Sequence, residues 1–286
     1  MAVDVQDKAF FRPISVTGVA DSAVAVCRRA PAAFLALSLL VNLPAFAAIA
    51  ALHVYVRDRG ATWGSLSYFL ILGILSLLVA GALWLRAVGT GALAFASVAA
   101  ISRGEASALG SLRAAFGRGA TLGVLSALRL VFVGAGLVVC VIPGVHAFGA
   151  LAIAPHAALL ENLSLSQAVV RSAKLSPRAA GGLFAATLLA LIVFVVGFAE
   201  ILLFAQLAVV LAGAVAPTVP TSWLGRPETA WNALAITKII TDPLVSASTS
   251  LAWLDARIRS EGLDLELRSQ VISGEPLAID PAMSPA

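Results

Sequence analysis

Long apolar runs alternate along this chain with short segments in which apolar and cationic residues recur at helical spacing. The clearest such segment is ENLSLSQAVVRSAKLSPR, residues 161–178. Leu165, Ala168, Val169, Ser172 and Leu175 fall on one face of a 3.6-residue period, and Gln167, Arg171, Lys174 and Arg178 form a polar, cationic stripe. Ser164 and Gln167 make an S-x-x-Q capping box, which predicts an abrupt helix start. Val16, Val19, Ala20, Ala23, Val24 and Cys27, followed by Arg28 and Arg29, predict a second amphipathic helix. Residues 103–118 predict a third, with Leu109, Leu112, Ala115 and Phe116 on one face and Arg113, Gly117 and Arg118 elsewhere. None can bury its apolar face alone, so each is expected to lie on lipid or under a bundle.

Six apolar runs separate these segments, at about 30–52, 65–101, 120–142, 145–160, 179–216 and 231–254. A bilayer needs ~20 residues of helix, so the second and fifth runs are over-long and predict helices that project past the headgroups. Asn42 and Pro44 interrupt the first run, and Arg86 with the Gly89-Thr90-Gly91 step predicts a kink in the second. Residues 53–63 read as a short polar loop, Pro143-Gly144 as a hairpin turn, and residues 217–227 as a turn-rich loop. The pattern predicts an all-α polytopic membrane protein with six transmembrane helices and about three cytoplasmic amphipathic surface helices. It reads as an imperfect threefold repeat of surface helix plus hairpin, beginning near Ser15, Ser107 and Ser164. Residues 1–267 form a single membrane domain, and 268–286 are expected to be a disordered cytoplasmic tail.

Composition sharpens this reading. Of 286 residues, 60% are hydrophobic and 12% charged, against roughly 25% charged in a soluble domain. The net charge of +4 sits in short clusters between apolar runs rather than on one face, which argues for a topological role and against nucleic-acid binding. Lys8, Arg12, Arg28, Arg29, Arg103, Arg113, Arg118, Arg171, Lys174, Arg178, Arg257, Arg259 and Arg268 fall on the side of the termini, and only Arg57, Arg59 and Arg226 fall opposite. The positive-inside rule then places both termini in the cytoplasm. The first run reads as an uncleaved anchor, and Cys27 and Cys140 offer no disulfide framework.

Several of these marks together resemble a known family. An apolar run ending in Pro155 and Glu161, followed by a short helix with an A-x-x-R-S pattern (Ala168 to Ser172), is similar to a bacterial family of six-helix integral membrane proteins. That family is labelled after the membrane domain of glycerophosphoryl diester phosphodiesterase. The run Leu251-Ala252-Trp253-Leu254-Asp255-Ala256-Arg257-Ile258-Arg259 with Glu261-Gly262-Leu263-Asp264-Leu265-Glu266-Leu267 resembles its closing span, with Leu251 and Leu254 where aromatics are commoner. Arg12-Pro13-Ile14-Ser15 and Arg28-Arg29-Ala30-Pro31 resemble its opening. The resemblance covers residues 12 to 267 and implies a bacterial inner-membrane location. Its motifs are topological, and where the family carries phosphodiesterase chemistry a separate soluble domain supplies it, so no activity is carried over.

Candidate chemistry reduces to ionisable residues inside the apolar runs: Arg86, Arg129, Glu200, Lys238 and Asp242. These are costly at depth and mark either a polar pathway, a pocket for lipid headgroups, or structural pairing with snorkelling; Lys238 and Asp242 are spaced i,i+4 for pairing. His53 and His146 lack metal-ligand spacing, and His156 beside Pro155 is expected to bond a backbone group freed by that proline. No G-x-S-x-G or triad spacing is present, and Gly73, Gly81 and Gly89 read as helix-packing positions. No cofactor is implied. The expected function is that of a non-enzymatic inner-membrane accessory or assembly protein. Its surface cations Arg28, Arg29, Arg113, Arg118, Arg171, Lys174 and Arg178 would engage anionic membrane lipid or a protein partner. The alternative is a transporter or lipid translocase using the intramembrane charges, and an intramembrane enzyme comes third.

Overall fold

The computed structural model describes residues 14–15, 18–59, 66–139, 141–215 and 227–262. The described residues form helices α1 (Gly18–Arg29), α2 (Pro31–Arg59), α3 (Leu66–Arg103), α4 (Ala108–Gly117), α5 (Gly119–Val139), α6 (Val141–Ala152), α7 (Ala154–Leu160), α8 (Leu165–Val215) and α9 (Pro227–Glu261), with no strand among them. The all-helical architecture follows the pattern, and 217–226 and the tail lie outside the described residues. Among the described residues, three helices are long and apolar enough to cross a membrane, through Ser76–Arg103, Gly119–Gly136 and Leu165–Ala208. The count among them rises to four if α1 and the first part of α2, which meet at 94°, are taken as one bent span. At 1.5 Å per residue, α3 with 38 residues and α8 with 51 run about 57 and 76 Å, well beyond ~30 Å of hydrocarbon.

The three expected surface helices all begin at serines, two of which cap the backbone. Ser15 Oγ accepts from Gly18 N at 3.1 Å and Ser107 Oγ from Gly110 N at 3.3 Å. At Ser164 the side chain of Gln167 reaches back to the backbone N–H at 3.1 Å, the reciprocal half of a capping box. Beyond these starts the three helices diverge. α1 turns sharply into α2 at Ala30, and α4 stops at Arg118 before α5. The third segment does not stop: α8 continues through Pro177, so the expected separate surface helix is the first part of one long helix. Its apolar face is the expected one, with Ala168, Ser172 and Leu175 buried. In α1 the buried face is Val19, Ala23 and Val26 rather than the face including Val24, because α1 packs under α9 and α3. In α4 the buried residues are Ser111 and Ala115, while Leu109 is 77% exposed.

Three further expectations are corrected. Helix α2 continues through residues 53–59, which were expected to be loop. Pro143-Gly144 is not a turn: α6 already runs from Val141 through both residues, and it sets Phe148 beneath Arg129 of α5. Proline is tolerated there because an N–H in the first turn has no intrahelical partner. The fourth run is broken at Ile153 into α6 and α7, since Pro155 cannot donate to the carbonyl of Leu151.

Burial is concentrated in one half of the bundle. It takes in residues 87–101 of α3, 151–159 of α6 and α7, and 241–258 of α9, whereas Leu77 and Leu83 of α3 and Leu188 to Leu211 of α8 include many exposed apolar side chains. Helix α9 is the axis of the buried half and packs on α8, α2, α1 and α3. It buries Thr237, Thr241, Asp242, Ser246, Ser248 and Ser250, which makes it too polar to rank with the apolar crossings. Several of these hydroxyls are satisfied within the helix: Thr237 donates to Ala233 O at 2.7 Å and Ser248 to Leu244 O at 2.8 Å. Small residues let helices approach, as where Gly182 faces Ala252 and Gly89 faces Val41. Gly73 and Gly81 meet no neighbour, so they are not the close-packing positions expected of them.

Candidate functional site

Two groups of polar side chains stand out, one inside the bundle and one at its basic end. The inner group grows from Pro243 in α9. A proline there has no N–H to give the carbonyl of Ile239, four residues earlier, and Ser38 Oγ of α2 donates to that carbonyl at 2.7 Å. One turn along α2, Asn42 Nδ2 donates to Ser38 O at 2.9 Å and to Asp242 Oδ2 at 3.0 Å. Lys238 Nζ approaches Asp242 Oδ1 at 2.5 Å from one turn away on the same helix. Arg86 of α3 reaches the group with Nη1 3.6 Å from Asp242 Oδ2 and 3.5 Å from Asn42 Oδ1. Asp242 is buried, so its charge depends on these partners.

Of the five intramembrane residues expected to matter, Arg86, Lys238 and Asp242 are therefore brought together. Arg129 lies near enough to Arg86 for the two guanidiniums to repel, but its direct contact is the Phe148 ring, 4.5 Å from its Cζ. Glu200 is exposed on α8 and does not join the group. Ser38 and Asn42 were not singled out as site residues. The signal for both was present: Asn42 interrupts an apolar run, Ser38 lies four residues before it on the same face, and Pro243 announces an unpaired carbonyl.

The basic end gathers the starts of α1, α5 and α8 and the ends of α3 and α9. Arg171 of α8 donates from Nε to Glu161 Oε2 at 2.7 Å and pairs through Nη1 with Glu261 of α9. Arg257 Nε donates to Glu261 Oε2 at 3.0 Å, and Trp253 Nε1 to Glu161 Oε1 at 3.3 Å. Two carboxylates and two guanidiniums thus tie the loop after α7 to α8 and α9. The hydrogen bond to Glu261 leads in raising the Arg171 pKa above its usual value. Burial alone would raise the Glu261 pKa, but hydrogen bonds from Arg171 and Arg257 outweigh it and hold the carboxyl below the usual range. Beside them Asp255 accepts from Ile14 N at 3.0 Å and from Arg259 Nε at 2.8 Å, anchoring the chain before α1.

The seven expected surface cations divide accordingly. Arg29 Nη1 donates to the carbonyls of Ala100 and Ile101 at 3.1 and 3.4 Å, near the C-terminal end of α3 where a cation is favoured. Arg118 Nη2 donates to Asn162 O at 3.4 Å, and Arg171 is taken up by the two glutamates. Arg28, Arg113, Lys174 and Arg178 are exposed. Leu163, Ser166, Gln167, Val170, Arg171 and Lys174 line an open groove of about 340 Å³ here.

His156 is buried, and Nε2 lies 3.1 Å from Ser250 Oγ, so its partner is a side chain of α9 and not the proline-freed carbonyl expected. Its ring stacks on Trp253 at 6.4 Å, while Nδ1 and the buried Ser172 Oγ have no hydrogen-bond partner. The side chains of His53 and His146 lie outside the described residues. Among the described residues, no three His, Cys, Asp or Glu side chains are grouped to hold a metal ion. No family model, no curated protein and no solved structure matches this chain.

Proposed function

We propose that this is a non-enzymatic accessory or assembly protein of the bacterial cytoplasmic membrane, with six crossings and both termini in the cytoplasm. Its three surface segments would be the repeating unit, as in the membrane-domain family it resembles, and they engage anionic lipid or a protein partner. The observation that carries this reading is the outward face of α4. Leu109 and Phe116 are exposed on either side of exposed Arg113, spaced i, i+4 and i+7 on one face. An apolar pair flanking a cation suits the headgroup boundary, and Arg28, Lys174 and Arg178 add charge at the same end of the bundle. Each such cation contributes on the order of 1 kcal/mol near an anionic surface. The test reverses the exposed residues Arg113, Lys174 and Arg178 to Glu and leaves Arg171 in its clamp. Co-sedimentation of the purified variant with phosphatidylglycerol liposomes should fall while that with neutral liposomes stays level, and pull-down of any cytoplasmic partner should weaken. Equal retention by wild type and variant in both assays rules the reading out.

A transporter or lipid translocase is the second reading, favoured by the convergence of Arg86, Lys238 and Asn42 on Asp242. It predicts that Asp242→Asn abolishes movement of a charged substrate in reconstituted vesicles. Unchanged flux would exclude a path through this group.

A further inference from the structure

The groove at the start of α8 is lined by Leu163, Ser166, Gln167, Val170, Arg171 and Lys174, all from the first turns of that helix and the loop before it. Its chemistry is mixed. Val170 is 54% exposed, and Lys174 and, one turn on, Arg178 are exposed with no ion pair among the described residues. Arg171 is already taken by Glu161 and Glu261. Ser164 donates from both N and Oγ to Gln167 Oε1, so Gln167 offers a further ligand only its N–H donors. The surface therefore suits an acidic and apolar occupant. The chain itself brings one to its edge. The ion pair with Arg171 fixes Glu261 at the groove, and Gly262 then ends α9 with φ +65, its N–H bonded to Ile258 O at 3.2 Å. A left-handed residue there turns the chain off the helix axis. The next residues are Leu263-Asp264-Leu265-Glu266-Leu267, which lie beyond the described residues and alternate apolar with acidic.

We propose that residues 263–267 of this chain occupy the groove of α8. They enter at the end marked by Arg171 and Lys174, where Asp264 meets Lys174. The leucines cover Val170 and Leu163, and Glu266 accepts from Ser166 or Gln167. The reach is sufficient: Ser166 and Lys174 are about 12 Å apart along the helix, and five residues span at most ~17 Å. A single exposed ion pair contributes little. Here the segment starts next to a residue held at the groove, which gives it an effective concentration in the mM range, so modest contacts hold it in place. The docking does not rest on engagement of lipid or of a protein partner. Its test uses neither, so the two readings stand or fall separately.

The test uses the full chain in detergent, with Cys27→Ala and Cys140→Ser, and follows disulfide formation under a mild oxidant. V170C/L265C should close an intramolecular disulfide at least about tenfold faster than L109C/L265C, because position 109 on α4 lies off the groove and gains only from tethering. Adding D264K to V170C/L265C should slow closure about threefold or more, as an exposed attraction becomes a repulsion. Adding K174E to that chain should restore the rate, which a general loosening of the segment would not allow. Closure of V170C/L265C no faster than that of L109C/L265C would leave the groove to lipid or a partner and overturn the proposal. A disulfide formed between two chains would assign the groove to a second copy and overturn it equally. A rate unchanged by D264K would also contradict it.

Discussion

The Ser38 hydroxyl donates to the carbonyl of Ile239 at 2.7 Å, across two helices and 201 positions of sequence. Ile239 is the residue whose helix partner Pro243 removes, so Ser38 supplies the missing donor from α2. Removing it by Ser38→Ala leaves a buried carbonyl unsatisfied, at a cost of about 1–3 kcal/mol. In Pro243→Ala the helix regains its own donor, and the same Ser38→Ala change should then cost much less. A double-mutant cycle by unfolding in mixed detergent micelles measures the coupling; additive effects would mean the hydroxyl has no such role.

Gly89 sets the approach of α3 to α2. A Cβ there would come within 1.9 Å of Val41 Cγ2, closer than any repacking of a rotamer absorbs freely. Gly89→Ala should therefore destabilise the fold by about 1–3 kcal/mol, as over-packing does, and Val41→Ala in the same chain should recover part of the loss. Gly81→Ala, which meets nothing within 4 Å, should be neutral or slightly stabilising in the same unfolding assay, because alanine favours helix.

The sequence made the start of α8 legible: the Gln167 half of the capping box at Ser164 and the buried set Ala168, Ser172 and Leu175 are read from period and cap chemistry, while the Ser164 hydroxyl donates to Gln167 Oε1 instead of capping a backbone N–H. It did not show that the segment fuses with the following crossing, because the cationic stripe ending at Arg178 separates it from the apolar run, yet the helix carries both that stripe and Pro177 inside it. Faces that meet protein rather than lipid were also misread. Val24 and Leu109 are as apolar as their buried neighbours, and only the packing of α1 under α9 and of α4 beside α3 decides which are covered. The pairing of Lys238 with Asp242 followed from their spacing, whereas Arg86 joins them only because three helices converge.

The Glu261 carboxyl, held below its usual range, makes the clamp sensitive to acid. A depressed folded pKa contributes stability that is complete above the unfolded value near 4.5 and is lost as pH falls through the lower folded value. The unfolding midpoint of wild type should thus decline below pH 4.5 more steeply than that of Glu261→Gln, whose own midpoint is lower at neutral pH. Parallel curves for the two proteins would remove Glu261 from the clamp.

Burial pushes the Cys27 thiol up to about 11 from 9.0. The thiolate is the reactive form, so at pH 7 its population falls by about a hundredfold relative to an ordinary thiol. In a Cys140→Ser chain, maleimide modification in detergent should be correspondingly slow and should accelerate on unfolding. Rapid modification of the folded protein would place Cys27 in a more open setting.

Sidedness is the claim beneath all of these functional readings: the end of the bundle that gathers Arg28, Arg113, Lys174 and Arg178 faces the cytoplasm. Single cysteines introduced at Gly60, Glu105, Ser166 and Leu224 in a Cys27→Ala, Cys140→Ser chain test it directly in intact cells with a membrane-impermeant maleimide. Labelling at 60 and 224, with protection at 105 and 166 until the cells are permeabilised, is the predicted result. Labelling at 105 and 166 in intact cells, with 60 and 224 protected, would contradict it and turn the basic end outward.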